Sequence, residues 1–516
     1  MKSFRNPIVP GFHPDPSCIL VDGTYYLVTS SFLYTPSVPI YTSQDLIHWT
    51  QIGNVITRPS QLSLSKCTIR QGNKNCGGVW APTIRYHKGV FYVVATCVFP
   101  DKEFADHSRW ENHVWSTKDP HSRDAWSDGI RFDFPGYDTS LFWDENNDDR
   151  VYIQGALYWR VKEGIAQFEI DLETGASLSG EPKPIWSGTG RPIPEAPHMY
   201  RKDEWYYLLV AEGGTELDHC ATIARSRSVW GPFEECPNNP IIHAASKDAY
   251  FQTIGHADIF QSPDGQWFAV ALATRDGRIN FPMGRETVLI PGQWEPGSWP
   301  VFNARVESVM KTSANSLRPV PSTNENILGN FSRTEVDVIW PHNLLRLRNP
   351  DEDAYQYVDG SLHLWPSAKG DTLDGHLARQ PLSHGARLLL TKDPSVIAGL
   401  SVYLDFESHI DLVLTRSGTG PGFEAHIRQR TLGTGSSDTA SVPVDSGALR
   451  AVAHEDRYEF FGWRDGAWVS IGTGLAKDVS GGFTGVLIGP YAEGPASGND
   501  DHAKTTVKKW VYFEAA

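Results

Sequence analysis

The sequence predicts an all-β protein: a five-bladed β-propeller over residues 1–305, a linker over 306–333 and a jelly-roll-like β-sandwich over 334–516. Three observations carry this prediction. The chain is rich in aromatic residues, with 18 Trp, 19 Tyr and 23 Phe among 516 residues, and rings suit a pleated, half-buried surface. A turn followed by an aromatic pair, with Val-Tyr in the third copy, recurs five times at a spacing of roughly sixty residues. The C-terminal third alternates apolar and polar residues with a period of two.

The repeats run in order through Asp22-Gly23-Thr24-Tyr25-Tyr26, Lys88-Gly89-Val90-Phe91-Tyr92, Asp149-Arg150-Val151-Tyr152, Asp203-Glu204-Trp205-Tyr206 and Asp264-Gly265-Gln266-Trp267-Phe268. Their second aromatics, Tyr26, Tyr92, Tyr152, Tyr206 and Phe268, lie 66, 60, 54 and 62 residues apart. Each reads as strand, tight turn, strand. Trp49, Trp126-Ser127-Asp128 and Trp230-Gly231-Pro232-Phe233 mark turns of outer strands. A unit of this length made of several short strands is a propeller blade, and five copies predict five blades. The competing arrangement, unrelated hairpins in a sandwich, does not account for the regular spacing.

Composition narrows the function classes. A net charge of −15 argues against nucleic acid or an anionic membrane as partner. There is no apolar run long enough for a spanning helix. The start, Met1-Lys2-Ser3-Phe4-Arg5-Asn6-Pro7, lacks the apolar stretch of a signal peptide. The expectation is a protein that stays inside the cell or one whose leader has been removed. None of the six cysteines forms a Cys-x-x-Cys pair, which weakens zinc and thioredoxin-type readings. Cys18 and Cys97 read as small core residues, and Cys67 and Cys76 flank a short polar loop across which they could pair.

The strand before each turn holds the chemistry. Aligned on the aromatic pairs, these strands begin Asp15-Pro16-Ser17, Ala81-Pro82-Thr83, Asp138-Thr139-Ser140, Glu195-Ala196-Pro197 and His256-Ala257-Asp258. Innermost strands line the axis of a propeller, so these starting residues should meet at one mouth of it. A structural interior would place Val, Ile and Ala there. Two Asp, one Glu and one His must instead offset desolvation and mutual repulsion by function or by a metal. Carboxylates around a polar cleft suit glycoside cleavage, which needs one acid to protonate the leaving oxygen and a second to attack or to activate water. Three carboxylates could also hold calcium.

Beyond this column, Asn6-Pro7-Ile8-Val9-Pro10-Gly11-Phe12-His13-Pro14-Asp15-Pro16-Ser17, Gly77-Gly78-Val79-Trp80-Ala81-Pro82, Tyr137-Asp138-Thr139-Ser140-Leu141-Phe142, Glu195-Ala196-Pro197-His198-Met199-Tyr200, Ala211-Glu212-Gly213-Gly214-Thr215 and Gly284-Arg285-Glu286-Thr287 occur in that order. Together they resemble the segments of family-43 glycoside hydrolases over about the first 300 residues. Ala196 stands where that family often has Gly, and Thr139 where Pro or Ala is common. The resemblance implies a five-bladed propeller and an inverting mechanism. In it, Asp15 is the general base, Glu195 the general acid, and Asp138 tunes the acid and meets substrate hydroxyls. Inversion requires base and acid roughly 6.5–9.5 Å apart. Arg285 resembles the arginine of the family's sugar pocket, and Trp80 and Phe32 resemble its flanking aromatics. His256 resembles the axial histidine beside which some relatives hold calcium. The expectation is therefore no required cofactor, with a structural calcium near His256.

Ser313-Ala314-Asn315-Ser316 and Pro319-Val320-Pro321-Ser322-Thr323-Asn324 read as linker. Leu400-Ser401-Val402-Tyr403-Leu404 and Trp510-Val511-Tyr512-Phe513 alternate as sandwich strands. This module resembles the accessory sandwich of xylosidase-type members, and Gly481-Gly482-Phe483-Thr484-Gly485 resembles the loop that closes their pocket, with Phe483 as the reaching aromatic. Asn330-Phe331-Ser332 is a glycosylation triplet.

The reading that follows is an inverting exo-hydrolase releasing β-D-xylosyl or α-L-arabinofuranosyl ends from xylo- or arabino-oligosaccharides or hemicellulose. An endo-arabinanase or debranching arabinofuranosidase is the alternative within enzymes, and a non-catalytic carbohydrate-binding propeller the alternative outside them. Oligomeric state has no signature in the sequence.

Overall fold

Each aromatic pair lies in the second strand of an antiparallel sheet, because the turn before it is tight enough to return the chain on itself. Asp22-Gly23 and Lys88-Gly89 both take positive φ, 48° and 80° for the first pair and 45° and 86° for the second. That is the left-handed geometry a two-residue hairpin requires. The computed structural model describes residues 2–67, 76–275, 280–302, 305–313, 344–349, 355–358, 361–364, 374–375, 377–379, 384–392, 397–418, 422–493 and 505–514. It divides into two compact units, the first formed by Met1–Thr68, Gly77–Arg278 and Arg285–Pro321, the second by Ile69–Cys76, Ile279–Gly284 and Ser322–Ala516.

The first unit is built of five antiparallel sheets, each of at least four strands. In chain order their innermost strands are Ser17–Val21, Gly78–His87, Gly136–Asp144, Glu195–Lys202 and Gln252–Gln261. Strand order within every sheet follows the sequence outward. Both faces of each sheet are apolar because each packs against the next. Val94, Val114, Leu141, Ile153 and Phe168 fill one such space; Leu209, Ile223, Ile259, Ala271 and Val288 fill another. This is why the strands read as near-continuous apolar runs.

The ring is closed by hydrogen bonds from a segment that precedes the first blade. Asn6 Nδ2 donates to the Leu289 carbonyl at 3.0 Å and the Leu289 N–H donates to Asn6 Oδ1 at 2.9 Å. The His13 N–H donates to the Arg285 carbonyl at 3.0 Å. Strand Lys2–Arg5 pairs with Val309–Thr312, which lies inside the predicted linker. Four residues there gain a strand partner and leave the linker composition without effect; residues 314–333, the glycosylation triplet included, lie outside those described.

Each blade has a residue of positive φ at the matching point of its innermost segment: Asp15 at 54°, just before its strand, Ala81 at 35°, Asp138 at 53°, Ala196 at 51° and His256 at 49°, with Thr253 at 57° as a second in the last strand. Pairing with the second strand breaks around four of these points, as between Trp80 and Thr83 and between Glu195 and His198. Non-glycine residues in this region cost of order 1–3 kcal/mol each, and such strain gathers at functional sites. The kink corrects the alignment drawn from sequence. The fourth member of the column is Ala196, and Glu195 belongs to the preceding column with Trp80, Tyr137 and Gly255. A bulge changes which residues face the axis without changing the sequence spacing.

The second unit is a two-sheet sandwich. One sheet has Phe423–Thr431, Ser408–Arg416, Ile397–Asp405 and Leu487–Glu493 adjacent in that order; the other has Thr505–Glu514, His384–Lys392, Gly447–Ala453, Arg457–Arg464 and Ala467–Leu475. Leu400, Ile410 and Leu412 from the first sheet pack with Leu449, Phe460 and Val507 from the second. Among the described residues no helix is long and apolar enough to cross a membrane.

The described cysteines are all free thiols. Cys67 Sγ sits 3.7 Å from Cys97 Sγ of a buried strand, and Cys67 and Cys76 are both free.

Candidate active site

Five kinked strands converge on a few buried polar groups of the first unit. Asp15 is nearly inaccessible. Arg285 donates to it twice, Nη1 to Oδ1 at 2.7 Å and Nη2 to Oδ2 at 3.2 Å. Ser30 Oγ donates to Oδ2 at 2.5 Å. Burial alone would raise the carboxyl's pKa, but the Arg285 charge, with His256 and the Ser30 hydroxyl, outweighs it and holds Asp15 below the ordinary carboxylate value.

Arg285 is aimed by its neighbours in sequence. Glu286 accepts from the Gly11 N–H at 2.8 Å and from Arg275, and Thr287 Oγ1 donates to the His13 carbonyl at 2.7 Å. Three consecutive residues thus hold the segment carrying Asp15, which is the physical content of Gly284-Arg285-Glu286-Thr287. The Arg285 guanidinium lies 5.5 Å from the centre of the buried Phe32 ring, and Thr215 Oγ1 is 3.5 Å from its Nη1.

Glu195 has the opposite balance. Burial raises its pKa to about 7; the Tyr137 hydroxyl, which donates to Oε2 at 3.1 Å, and Arg285 lower it, while the Asp15 charge raises it. Asp138 is pushed well above the ordinary value by burial and by Glu195 and Asp15, against the opposing effects of Arg285 and the Ala196 N–H. Of the three carboxyl groups, Asp15 is the one held below the ordinary value, and it faces the Arg285 cation. His256 Nδ1 lies 3.6 Å from Asp15 Oδ1 and 3.9 Å from Asp138 Oδ2, and burial lowers its pKa.

Of the residues singled out in the sequence, Asp15, Asp138, Glu195, Arg285, Trp80, Phe32 and His256 belong to this unit. Trp80 is half-buried between Phe32 at 5.9 Å and Tyr137 at 6.0 Å, measured between ring centroids. Phe32 is buried beneath Arg285, which makes it a support for the cation. Phe483 lies in the second unit, half-buried in the turn that follows Ala476–Val479.

The donors near His256 do not suit calcium, a cation that takes six to eight oxygens. Both Asp15 oxygens already hold Arg285 or Ser30. Among the described residues no group of three or more His, Cys, Asp or Glu is placed to hold a metal.

Sequence reasoning missed Ser30, Tyr137 and His219. Tyr137 was legible as the residue before Asp138 once the kink is known. His219 had a weaker signal, a lone histidine opening the apolar strand Cys220–Ser226. It is buried, and its Nδ1 is 2.9 Å from the Thr253 carbonyl.

Below the mouth, a second buried network lines the axis. Asp258 accepts from Ser17, Arg85 and Tyr200 at 2.6, 2.8 and 2.6 Å, and Arg85 also meets His198 Nδ1 at 2.9 Å.

Comparison with known proteins matches both parts of the chain to families. Residues 4–300 match the model of glycosyl hydrolases family 43, and residues 330–508 match that of the beta xylosidase C-terminal concanavalin A-like domain. The non-reducing end alpha-L-arabinofuranosidase BoGH43B of Bacteroides ovatus is 33% identical, with 97% of this chain and 93% of that protein covered. The beta-xylosidase of Bacillus subtilis is 34% identical over 60% of this chain and 59% of its own length. Among solved structures, the xylan beta-1,4-xylosidase from Bacillus halodurans has a TM-score of 0.87 at 28% identity, with 99% of this chain and all of that one covered. On the match over its first 300 residues and on this full-length relative, the chain belongs to glycosyl hydrolase family 43.

Proposed function

We propose that the chain is an inverting, exo-acting glycoside hydrolase that releases terminal β-D-xylosyl or α-L-arabinofuranosyl units from xylo-oligosaccharides or arabinoxylan. The observation that carries the chemistry is the opposed protonation of two carboxyl groups in one buried site. Asp15 stays ionised beside Arg285, and Glu195 keeps its proton up to about pH 7. A base and an acid set apart in this way can work together near neutral pH.

In the reaction, Asp15 takes a proton from water as the water oxygen attacks the anomeric carbon. Glu195 delivers its proton to the glycosidic oxygen as that bond breaks. Asp138, its carboxyl raised by burial and by the Glu195 and Asp15 charges, tunes the acid and would bond substrate hydroxyls. Trp80 is the aromatic for the sugar face, with Phe32 behind Arg285. Phe483 enters this reading only through the resemblance of its loop to the family's closing loop. The chemistry needs no cofactor, and the donors at His256 give calcium no part in it.

The choice of sugar rests on relatives that carry both xylosidase and arabinofuranosidase names. The test is hydrolysis of paired aryl xyloside and aryl arabinofuranoside, with the anomer of the first-formed sugar followed by NMR. Inversion is expected, and net retention would overturn the role of Asp15. Glu195→Gln separates the enzyme from a binding propeller. The enzyme variant keeps affinity for sugar and loses turnover of natural linkages, whereas a lectin has no turnover to lose.

A further inference from the structure

One buried polar atom beside the proposed acid has no partner. His219 Nε2 is enclosed and makes no hydrogen bond, and it faces Glu195 Oε1 at 3.9 Å. The ring cannot turn away. Its Nδ1 is engaged by the Thr253 carbonyl, which accepts only, so the Nδ1 proton is fixed and Nε2 is left as a bare acceptor. The seat is tight: a Cβ added to Gly255 would lie 2.5 Å from the ring.

We propose that His219 is a positioning residue for the acid, accepting a hydrogen bond from protonated Glu195 at Oε1 while Tyr137 holds Oε2. This rests on the reading of Glu195 as the general acid. An ionised Oε1 facing a lone pair is repelled, and a protonated one gains an acceptor, so His219 favours the form that can deliver a proton. It also fixes which oxygen carries that proton. The 3.9 Å gap must shorten by about 1 Å for the bond to form, as catalytic contacts commonly do on substrate binding. In turnover the proton leaves Oε1 for the glycosidic oxygen and His219 keeps its own, so the histidine ends as it began.

The other charged and titratable groups around the pair are Asp15, Asp138, Arg285, His256 and Tyr137. None of them offers Oε1 an acceptor in this structure. Burial lowers the His219 pKa to about 4, which keeps the ring neutral across the working range.

The test compares His219→Leu with His219→Gln, two side chains of similar bulk of which only Gln presents an acceptor. Rates are measured on aryl glycosides running from dinitrophenyl to phenyl leaving groups, across pH. With Leu, the rate should fall about 10-fold further on phenyl than on dinitrophenyl substrate, and the basic limb of the profile should move to lower pH. Gln should restore part of both. A volume-filling role predicts equal losses on all leaving groups and a basic limb unmoved or raised by Leu; either result overturns the proposal. Glu195→Gln is the control. If it too shows no leaving-group dependence, Glu195 is not the acid, and the proposed function fails before the role of His219 is reached.

Discussion

Arg285 and Asp15, 270 residues apart in the chain, meet as a buried two-pronged ion pair of 2.7 and 3.2 Å. The pair fixes where the single charge of the site resides. Arg285→Lys keeps a cation but loses the planar fork. Asp15 then titrates at higher pH, the acid limb of kcat/KM moves up, and the rate at pH 7 falls by at least about 10-fold. A pH–rate profile of the variant checks both expectations.

The same assignments predict a bell-shaped profile for the unmodified protein. Asp15 must be ionised and Glu195 protonated. Activity is lost as pH rises through about 7, where Glu195 ionises, and on the acid side only below the ordinary carboxylate value, since Asp15 is lowered. A basic limb above pH 9 would remove Glu195 from the role of acid.

Stability should vary with pH in a direction set by Glu195. Its folded pKa is raised, so the native state binds more protons than the unfolded state between about 4.5 and about 7. Stability therefore falls as pH rises through that window. Glu195→Gln cannot ionise and escapes the loss. Its stability relative to the parent should grow by up to about 3 kcal/mol from pH 4.5 to pH 7. Denaturant titrations of both proteins at several pH values measure this. An unchanging difference would mean that the carboxyl is not raised.

Gly255→Ala examines the seat of His219 without touching a polar group. The new Cβ would stand 2.5 Å from the imidazole, so the ring or the strand Gln252–Gln261 must shift. Overpacking of this kind costs about 1–3 kcal/mol, and the displaced ring should weaken turnover of poor leaving groups more than of activated ones. Melting temperature and the same aryl glycoside series are the readouts.

Asp258→Ala examines the axis beneath the site. It strands the Arg85 guanidinium in a buried place, which costs about 3–5 kcal/mol. Burial would raise the Asp258 pKa, yet Arg85 first and then His198 and Ser17 lower it. Its stabilisation is therefore present above the ordinary Asp value and is lost as pH falls through its lowered one. The deficit of the variant should be full at pH 7 and shrink only in strong acid.

The propeller was legible because its repeat is written in residues that act locally: turns that need positive φ and aromatic pairs that open the second strand. Asp15 and Asp138 were legible for the same reason, as polar residues in a column that packing alone would make apolar. Glu195 was legible in the same column and in the motif, but one residue out of register, since the kink at Ala196 is a backbone event with no fixed side-chain signature. Ser30 and His219 sit beside strand ends and act through contacts with residues 15 and 24 positions away in the chain, which leave no periodicity. The burial of Phe32 against Arg285 comes from tertiary packing that its sequence neighbours do not encode.

The closure of the ring by the segment around Asn6–His13 has a consequence for the nascent protein. Asp15 lies 270 residues before its cation, Arg285, which comes with the strand to which the segment around Asn6–His13 binds. A ribosome-bound chain short of that point holds an acid and a base with nothing to separate their protonation. The buried ion pair of the site thus forms only when these two distant stretches of the first unit meet.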